Sequence, residues 1–243
     1  MDLKRLIYQY IGKDIGTKNR SSREDWLESL LTKVPQGKKI LDAGAGESRY
    51  KKYCSHLDYI SQDIAEYEGG EINEGIHTSK RDYTALSIQS DICDIPVESN
   101  TFDVIMCIEV LEHVEDPLPA LAELNRILKK GGKLILTAPF NSLTHYAPYH
   151  FSTGFTQYYY KKHLKNLNFE ITEITPNGNY FEYLGQEIRR LDEVSGKYSK
   201  KGLNYFEKLI ILIQLRILKK YSILDTGSEE LLCFGYQVVA LKK

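Results

Sequence analysis

An acidic residue followed by Gly-x-Gly stands early in the chain, as Asp42, Gly44 and Gly46 within ILDAGAGESRY. A strand that ends in such a turn lets its backbone come close to a ligand, because glycine has no Cβ. A helix that follows aims its first N–H groups at whatever is bound. Asp63 comes about twenty residues later, the separation at which a strand–helix–strand unit puts a carboxylate on a ribose diol. An ionised carboxylate offers two acceptor oxygens and so suits two neighbouring hydroxyls. Each feature alone has a plainer reading, a tight turn or a helix N-cap. Their order along the chain decides between the readings.

Three of the six histidines, His113, His145 and His150, fall within 109–114 and 139–156. Imidazole titrates near neutral pH, so all three are candidate general bases. A purely structural, hydrogen-bonding histidine is the competing reading for His113.

The elements that must position these residues read as alternating strands and helices. Short strands are expected at 39–42, 59–62 and 87–90, the last ending in Asp91-Ile92. FDVIMCI at 102–108 is a continuous apolar strand, as expected where both faces of a sheet are covered. Asp116-Pro117 opens a helix with an N-cap and a proline in its first turn. Leu118, Leu121, Leu124 and Leu128 line its inner face, and Gly131-Gly132 is expected to close it before a strand at 133–138. Such alternation predicts a mostly parallel sheet that binds ligands beyond the carboxyl ends of its strands.

LDAGAGES, Asp63, SDICDIP, FDVIMCIEVLEHVEDP and LKKGGKLILTAP, in this order, resemble the class I S-adenosylmethionine-dependent methyltransferases of the type 11 group. The likeness covers roughly 40–174. It implies a Rossmann-like α/β fold: a mostly parallel seven-stranded sheet, an antiparallel last strand, and helices on both faces. It departs where the family often has a third glycine, since Ser48 stands there. The resemblance implies S-adenosyl-L-methionine as cofactor, held by Asp42, Gly44, Gly46, Asp63, Asp91, Ile92, Ile108 and Glu109. Asp42 and Gly44 would lie near the amino-acid portion, Asp63 on the ribose, Asp91 and the Ile92 N–H on the adenine. It also implies methyl transfer to an oxygen or nitrogen of a small-molecule or glycan acceptor, with His113, His145 and His150 as catalytic candidates.

Glu109-x-x-Glu112-His113 with His150 downstream resembles the small-RNA 3′-end 2′-O-methyltransferases, in which two Glu and two His bind a divalent ion. Ubiquinone-pathway O-methyltransferases look similar at EVLEH. No metal is expected here, and Glu109, Glu112, His113 and His150 would be the ligands of one. Two further readings stand beside the enzyme: a binding or regulatory module without turnover, and a metal-assisted RNA methyltransferase. A formal charge of −1 gives no basic footprint for nucleic acid.

With 243 residues, one methyltransferase domain over 1–243 is expected, preceded by an N-terminal helical segment at 1–36. Cys54, Cys93, Cys107 and Cys233 are scattered and read as reduced thiols, and the first residues carry no secretory pattern, so a cytoplasmic protein is expected. A long surface loop is expected between Ile64 and Ala85. An insert at 175–232, helical at 180–194 and 203–221, separates strands at 169–174 and 233–241, and is expected to cap the acceptor side. Tyr180, Leu184, Ile188 and Leu191 recur at helical spacing and should pack inward. LIILIQLRIL at 209–218 is too short to span a bilayer. Its readings are a buried helix, a homodimer contact or peripheral membrane docking.

Overall fold

A computed structural model of the chain describes residues 15–70, 75–76 and 79–243. Two compact units divide the described residues, one formed by 25–175 with 235–243 and the other by 15–24 with 176–234. The larger unit carries a seven-stranded sheet built from β1 (Lys39–Ala43), β2 (Asp58–Asp63), β3 (Ile88–Gln89), β4 (Phe102–Ile108), β5 (Leu128–Pro139), β6 (Phe169–Asn177) and β7 (Gly235–Lys242). Their order is β3-β2-β1-β4-β5-β7-β6. β1 to β5 pair in parallel, and β7 runs antiparallel to β5.

Both faces of the sheet are buried, and strand alternation shows why. Ile40, Val104, Met106, Ile108 and Ile135 pack with Leu27 and Leu31 of α1 (Asn19–Leu31) and with Tyr50 and Cys54. The intervening Leu41, Ile105, Cys107, Leu134 and Leu136 are fully buried as well. In α2 (Pro117–Ile127), Ala120, Leu121, Leu124 and Ile127 are buried, and in α3 (Gln157–Asn166) Tyr160 and Leu164 are. None of the four cysteines is in a disulfide.

Three expectations are corrected here. Gly131-Gly132 does not close α2. The helix ends at Ile127, and Leu128, already extended, pairs with Phe102 while Lys133 pairs with Val104. The two glycines lie in the irregularity between those pairs, with Gly131 at φ 73°. No glycine cap is needed because the last turn of α2 has other donors: Asn100 N reaches Arg126 O, Thr101 N reaches Ile127 O, and Lys242 Nζ reaches Asn125 O. Leu118 is exposed, since the N-terminal end of α2 faces solvent. Finally, the stripe Tyr180, Leu184, Ile188 and Leu191 is not the packed face of its helix. Tyr183 and Gly185 are the buried positions, and Leu191 is exposed.

The described parts of the loop between Ile64 and Ala85 contain no helix or strand, as expected, but they are anchored. Ile76 forms a parallel bridge with His145, its N–H donating to Thr144 O. Of the N-terminal segment, α1 falls within the described residues and 1–14 lie outside them.

The smaller unit contains α4 (Tyr180–Tyr198) and α5 (Tyr205–Ile223). Asn179 caps α4, and a capping box of Asn204 and Glu207 starts α5. The segment at Ile15–Gly16 lies directly on α4. Gly16 N donates to Glu182 Oε2 at 2.6 Å, and Arg189 Nε donates to Ile15 O at 2.7 Å. So close an approach requires glycine: a Cβ on Gly16 would stand 2.1 Å from Gln186 N. On α5, Phe206, Leu209, Ile210, Ile213, Ile217 and Tyr221 are exposed along one face, and Leu215 is its buried residue.

Gly16→Ala should therefore lower stability by more than the roughly 1 kcal/mol that positive φ alone imposes. Gly37→Ala is the control, with φ 75° and nothing within 4 Å of the added Cβ. Chemical denaturation of both variants checks the difference, and equal losses would refute the close-approach argument.

Candidate functional site

Strands β1, β2 and β4 deliver the expected residues to their carboxyl ends. The turn after β1 places Gly44 at φ 74°, Gly46 at φ 51° and Ser48 at φ 55°. Ser48 thus holds the left-handed conformation at the position where a third glycine is usual, at a cost of about 1–2 kcal/mol for an L-residue. The glycines prove necessary for contacts within the protein. A Cβ on Gly44 would meet Val110 Cγ2 at 2.4 Å, and one on Gly46 would meet Arg81 Nη1 at 2.6 Å.

Asp63 joins this turn to β2. Its Oδ2 accepts from Gly46 N at 2.8 Å and its Oδ1 from Ala65 N at 2.9 Å. Each oxygen keeps a second lone pair, so a diol can still be bound. Arg81, from the loop after β2, lies over the Tyr146 ring at 4.2 Å. Asp42 is buried, and its Oδ2 accepts from Tyr59 Oη at 2.6 Å. Burial raises the Asp42 carboxyl to about 7, with the Tyr59 hydrogen bond opposing and the Asp63 charge adding to the rise. Asp91 is exposed, and its Oδ1 accepts from Cys93 N at 2.8 Å, closing the turn that presents buried Ile92.

Beyond β4 the chain turns sharply. Glu109 follows buried Ile108 and takes φ 56°, a left-handed conformation held by two bonds to Thr137 of β5. Glu109 N donates to Thr137 O, and Thr137 Oγ1 donates to Glu109 Oε1, both at 2.9 Å. That bend sends Val110 over Gly44 and buries Glu112, which is 1% exposed. Phe151 and Ser152 N–H groups donate to Glu112 O, tying the 139–156 loop to this one.

The three histidine candidates come together. Ring centroids lie 4.7 Å apart for His113 and His145, 4.8 Å for His145 and His150, and 6.1 Å for His113 and His150. His113 Nδ1 bonds Tyr149 O, and burial with the nearby His145 depresses its imidazole to about 3, leaving it neutral and a weak proton acceptor. His150 is lowered by burial. Its Nε2 lies 3.1 Å from Ser142 Oγ, whose hydrogen goes to Thr153 O, so Nε2 carries the proton and Nδ1 the lone pair.

Of the metal set suggested by resemblance, Glu112 and His113 converge, while Glu109 bonds Thr137 and His150 bonds Ser142. Sequence reasoning missed Tyr59, Arg81, Val110 and Tyr160. Tyr160 is fully buried, and burial with the carboxylates of Glu112 and Glu109 pushes its phenol far above the ordinary range. Arg81 sits in a polar loop with no periodicity, so nothing in the sequence marked it.

A sheet in this order, with an antiparallel β7 and a glycine turn after β1, defines the class I methyltransferase fold. Residues 41–136 match the family model described as a methyltransferase domain. An uncharacterised protein of Methanocaldococcus jannaschii is 37% identical over 112 residues, 44% of this chain and 45% of that one. The ubiquinone biosynthesis O-methyltransferase of Pseudomonas aeruginosa is 29% identical over 122 residues, 47% of this chain and 49% of that one. The aligned regions thus span about half the length of these curated relatives. A methyltransferase structure from Archaeoglobus fulgidus superposes with a TM-score of 0.55 at 17% identity, covering 99% of this chain and all of that one.

Asp42 sets a pH dependence. An unfolded aspartate ionises near 3.8, whereas the folded chain holds this proton to about 7. Between those values the unfolded state has lost a proton that the folded state keeps, so stability falls as pH rises through the window. Asp42→Asn should flatten that decline, a gain of up to about 4 kcal/mol above pH 7. Denaturation midpoints of both proteins across the window test it, and parallel curves would refute it.

Proposed function

We propose that the protein is an S-adenosylmethionine-dependent methyltransferase that alkylates an oxygen or nitrogen of a small-molecule, glycan or natural-product acceptor. The observation that carries this reading is the buried Asp63 carboxylate beside the Gly44–Gly46 turn, inside a segment matching the methyltransferase domain. When bound, the cofactor supplies a methyl group already activated on sulfonium, so the protein contributes mainly alignment.

Asp63 would hold the ribose hydroxyls through its remaining lone pairs, and Asp91 with the Ile92 N–H would face the adenine edge. Arg81, next to Gly46, offers a guanidinium to the carboxylate of the methionine end. Buried Asp42 acts through Tyr59, keeping β1 and β2 aligned where the turn departs. On the acceptor side, His150 has the lone pair on Nδ1 to take a proton from a hydroxyl or ammonium nucleophile. Tyr146, Tyr149 and Phe151 offer flat apolar surfaces to the acceptor.

Calorimetric titration with S-adenosylhomocysteine tests the basis of this reading. Wild type should bind, and Asp63→Ala should bind about 5- to 150-fold more weakly, the equivalent of about 1–3 kcal/mol for a buried charge-accepting site. Circular dichroism establishes that the variant is folded. Absence of binding to wild type in the high micromolar range would overturn the proposal. Radiolabel transfer to a metabolite panel separates an enzyme from a module that only binds.

We also propose that the apolar face of α5 is a subunit contact, since a row of six large apolar side chains in water is unusual for a monomer. Among the described residues no helix is long and apolar enough to cross a membrane. Wild type should sediment as a dimer and Ile213→Asp as a folded monomer. Wild type sedimenting as a monomer would count against the contact.

A further inference from the structure

Three electron-pair donors meet in the loops beyond β4 and β5. Glu112 Oε1 lies 3.8 Å from His113 Nε2 and 4.0 Å from His145 Nε2, and the three ligand atoms lie within 4.8 Å of one another. Hydrogen placement follows from the far side of each ring. His113 Nδ1 faces the carbonyl of Tyr149, and His145 Nδ1 faces that of Leu143 at 2.8 Å. A carbonyl oxygen only accepts, so each Nδ1 must carry the hydrogen. In the neutral ring each Nε2 therefore turns a lone pair towards the carboxylate.

Two imidazole lone pairs and a carboxylate oxygen facing one another repel, and Glu112 is too buried for bulk water to screen them. A cation at their centre makes every one of these contacts attractive. We propose that Glu112, His113 and His145 bind a divalent transition-metal ion of borderline softness, such as zinc. Mixed imidazole and carboxylate donors suit that class better than calcium. The carbonyl partners of both histidines have the outer-shell role usual in metal sites, fixing tautomer and ring orientation. Tetrahedral bonds of about 2.0–2.1 Å put ligand atoms about 3.3 Å apart, so the present separations of up to 4.8 Å need to contract by up to about 1.5 Å.

The set replaces Glu109 and His150, suggested by resemblance, with His145. The bridge between Ile76 and His145 helps hold this ligand in place. Three protein ligands leave a coordination position for water or for an acceptor oxygen. The acceptor part of this inference rests on the methyltransferase reading, and the metal itself does not.

The test uses the full chain, stripped with EDTA and titrated with Zn²⁺ by calorimetry, with Co²⁺ absorption as a second probe of the ligand field. Wild type should bind one equivalent at micromolar affinity or tighter and give a visible Co²⁺ spectrum. Glu112→Gln and His145→Gln should each weaken Zn²⁺ binding about 100-fold or more, whereas His150→Ala should leave it within about threefold. If Glu112→Gln fails to fold, His145→Gln and the Co²⁺ spectrum carry the test. Wild type without stoichiometric binding, or His150→Ala losing as much affinity as His145→Gln, would overturn the proposal. S-adenosylhomocysteine titration of the stripped protein reports on the methyltransferase reading separately.

Discussion

The constraint on which the rest depends is the meeting of three strand ends without side-chain bulk between them. Val110 fills the space that a Cβ on Gly44 would take, and Arg81 does the same at Gly46. Asp63 then ties the turn to β2 through the Gly46 N–H. The left-handed turn at Glu109 makes this possible, because it redirects the chain over β1 and at once buries Glu112. The Gly44–Gly46 turn and the histidine cluster are thereby coupled through one bend. A residue in that conformation costs about 1–2 kcal/mol, and two bonds to Thr137 offset much of it.

The larger unit was legible in outline because its signals are local. The run at 102–108 reads as a strand from composition alone and is one, residue for residue. Strand ends carrying Asp42, Asp63 and Glu109 followed from their order. The end of α2 was misread because Gly131-Gly132 looks like a helix stop. The donors that close the helix, Asn100, Thr101 and Lys242, come from distant sequence, and no local pattern encodes them. The same reason explains α4. Its packed positions are set by a strap at Ile15–Gly16, whose glycine lets the backbone replace side-chain contact. Periodicity could not anticipate that.

In the candidate site, residue types were readable and pairings were not. The three histidines were found by proximity along the chain, but their tautomers depend on carbonyls at Leu143, Tyr149 and Thr153. Those carbonyls are fixed by loop conformation. His145 therefore changes from a general candidate into a partner of Glu112 only once the fold is known.

The thiols have a practical consequence. Cys54 is buried and pushed up to about 12, and Cys107 is buried inside β4 and held still higher, so neither presents a thiolate to solvent. Cys93, raised to about 11 by partial burial and the adjacent Asp91, remains partly open and sits in the turn beside Ile92. A slow alkylating reagent at mildly alkaline pH would thus label Cys93 ahead of Cys54 and Cys107. A fluorophore attached there would stand next to the segment proposed to face the adenine, giving the native chain a reporter position without an introduced cysteine.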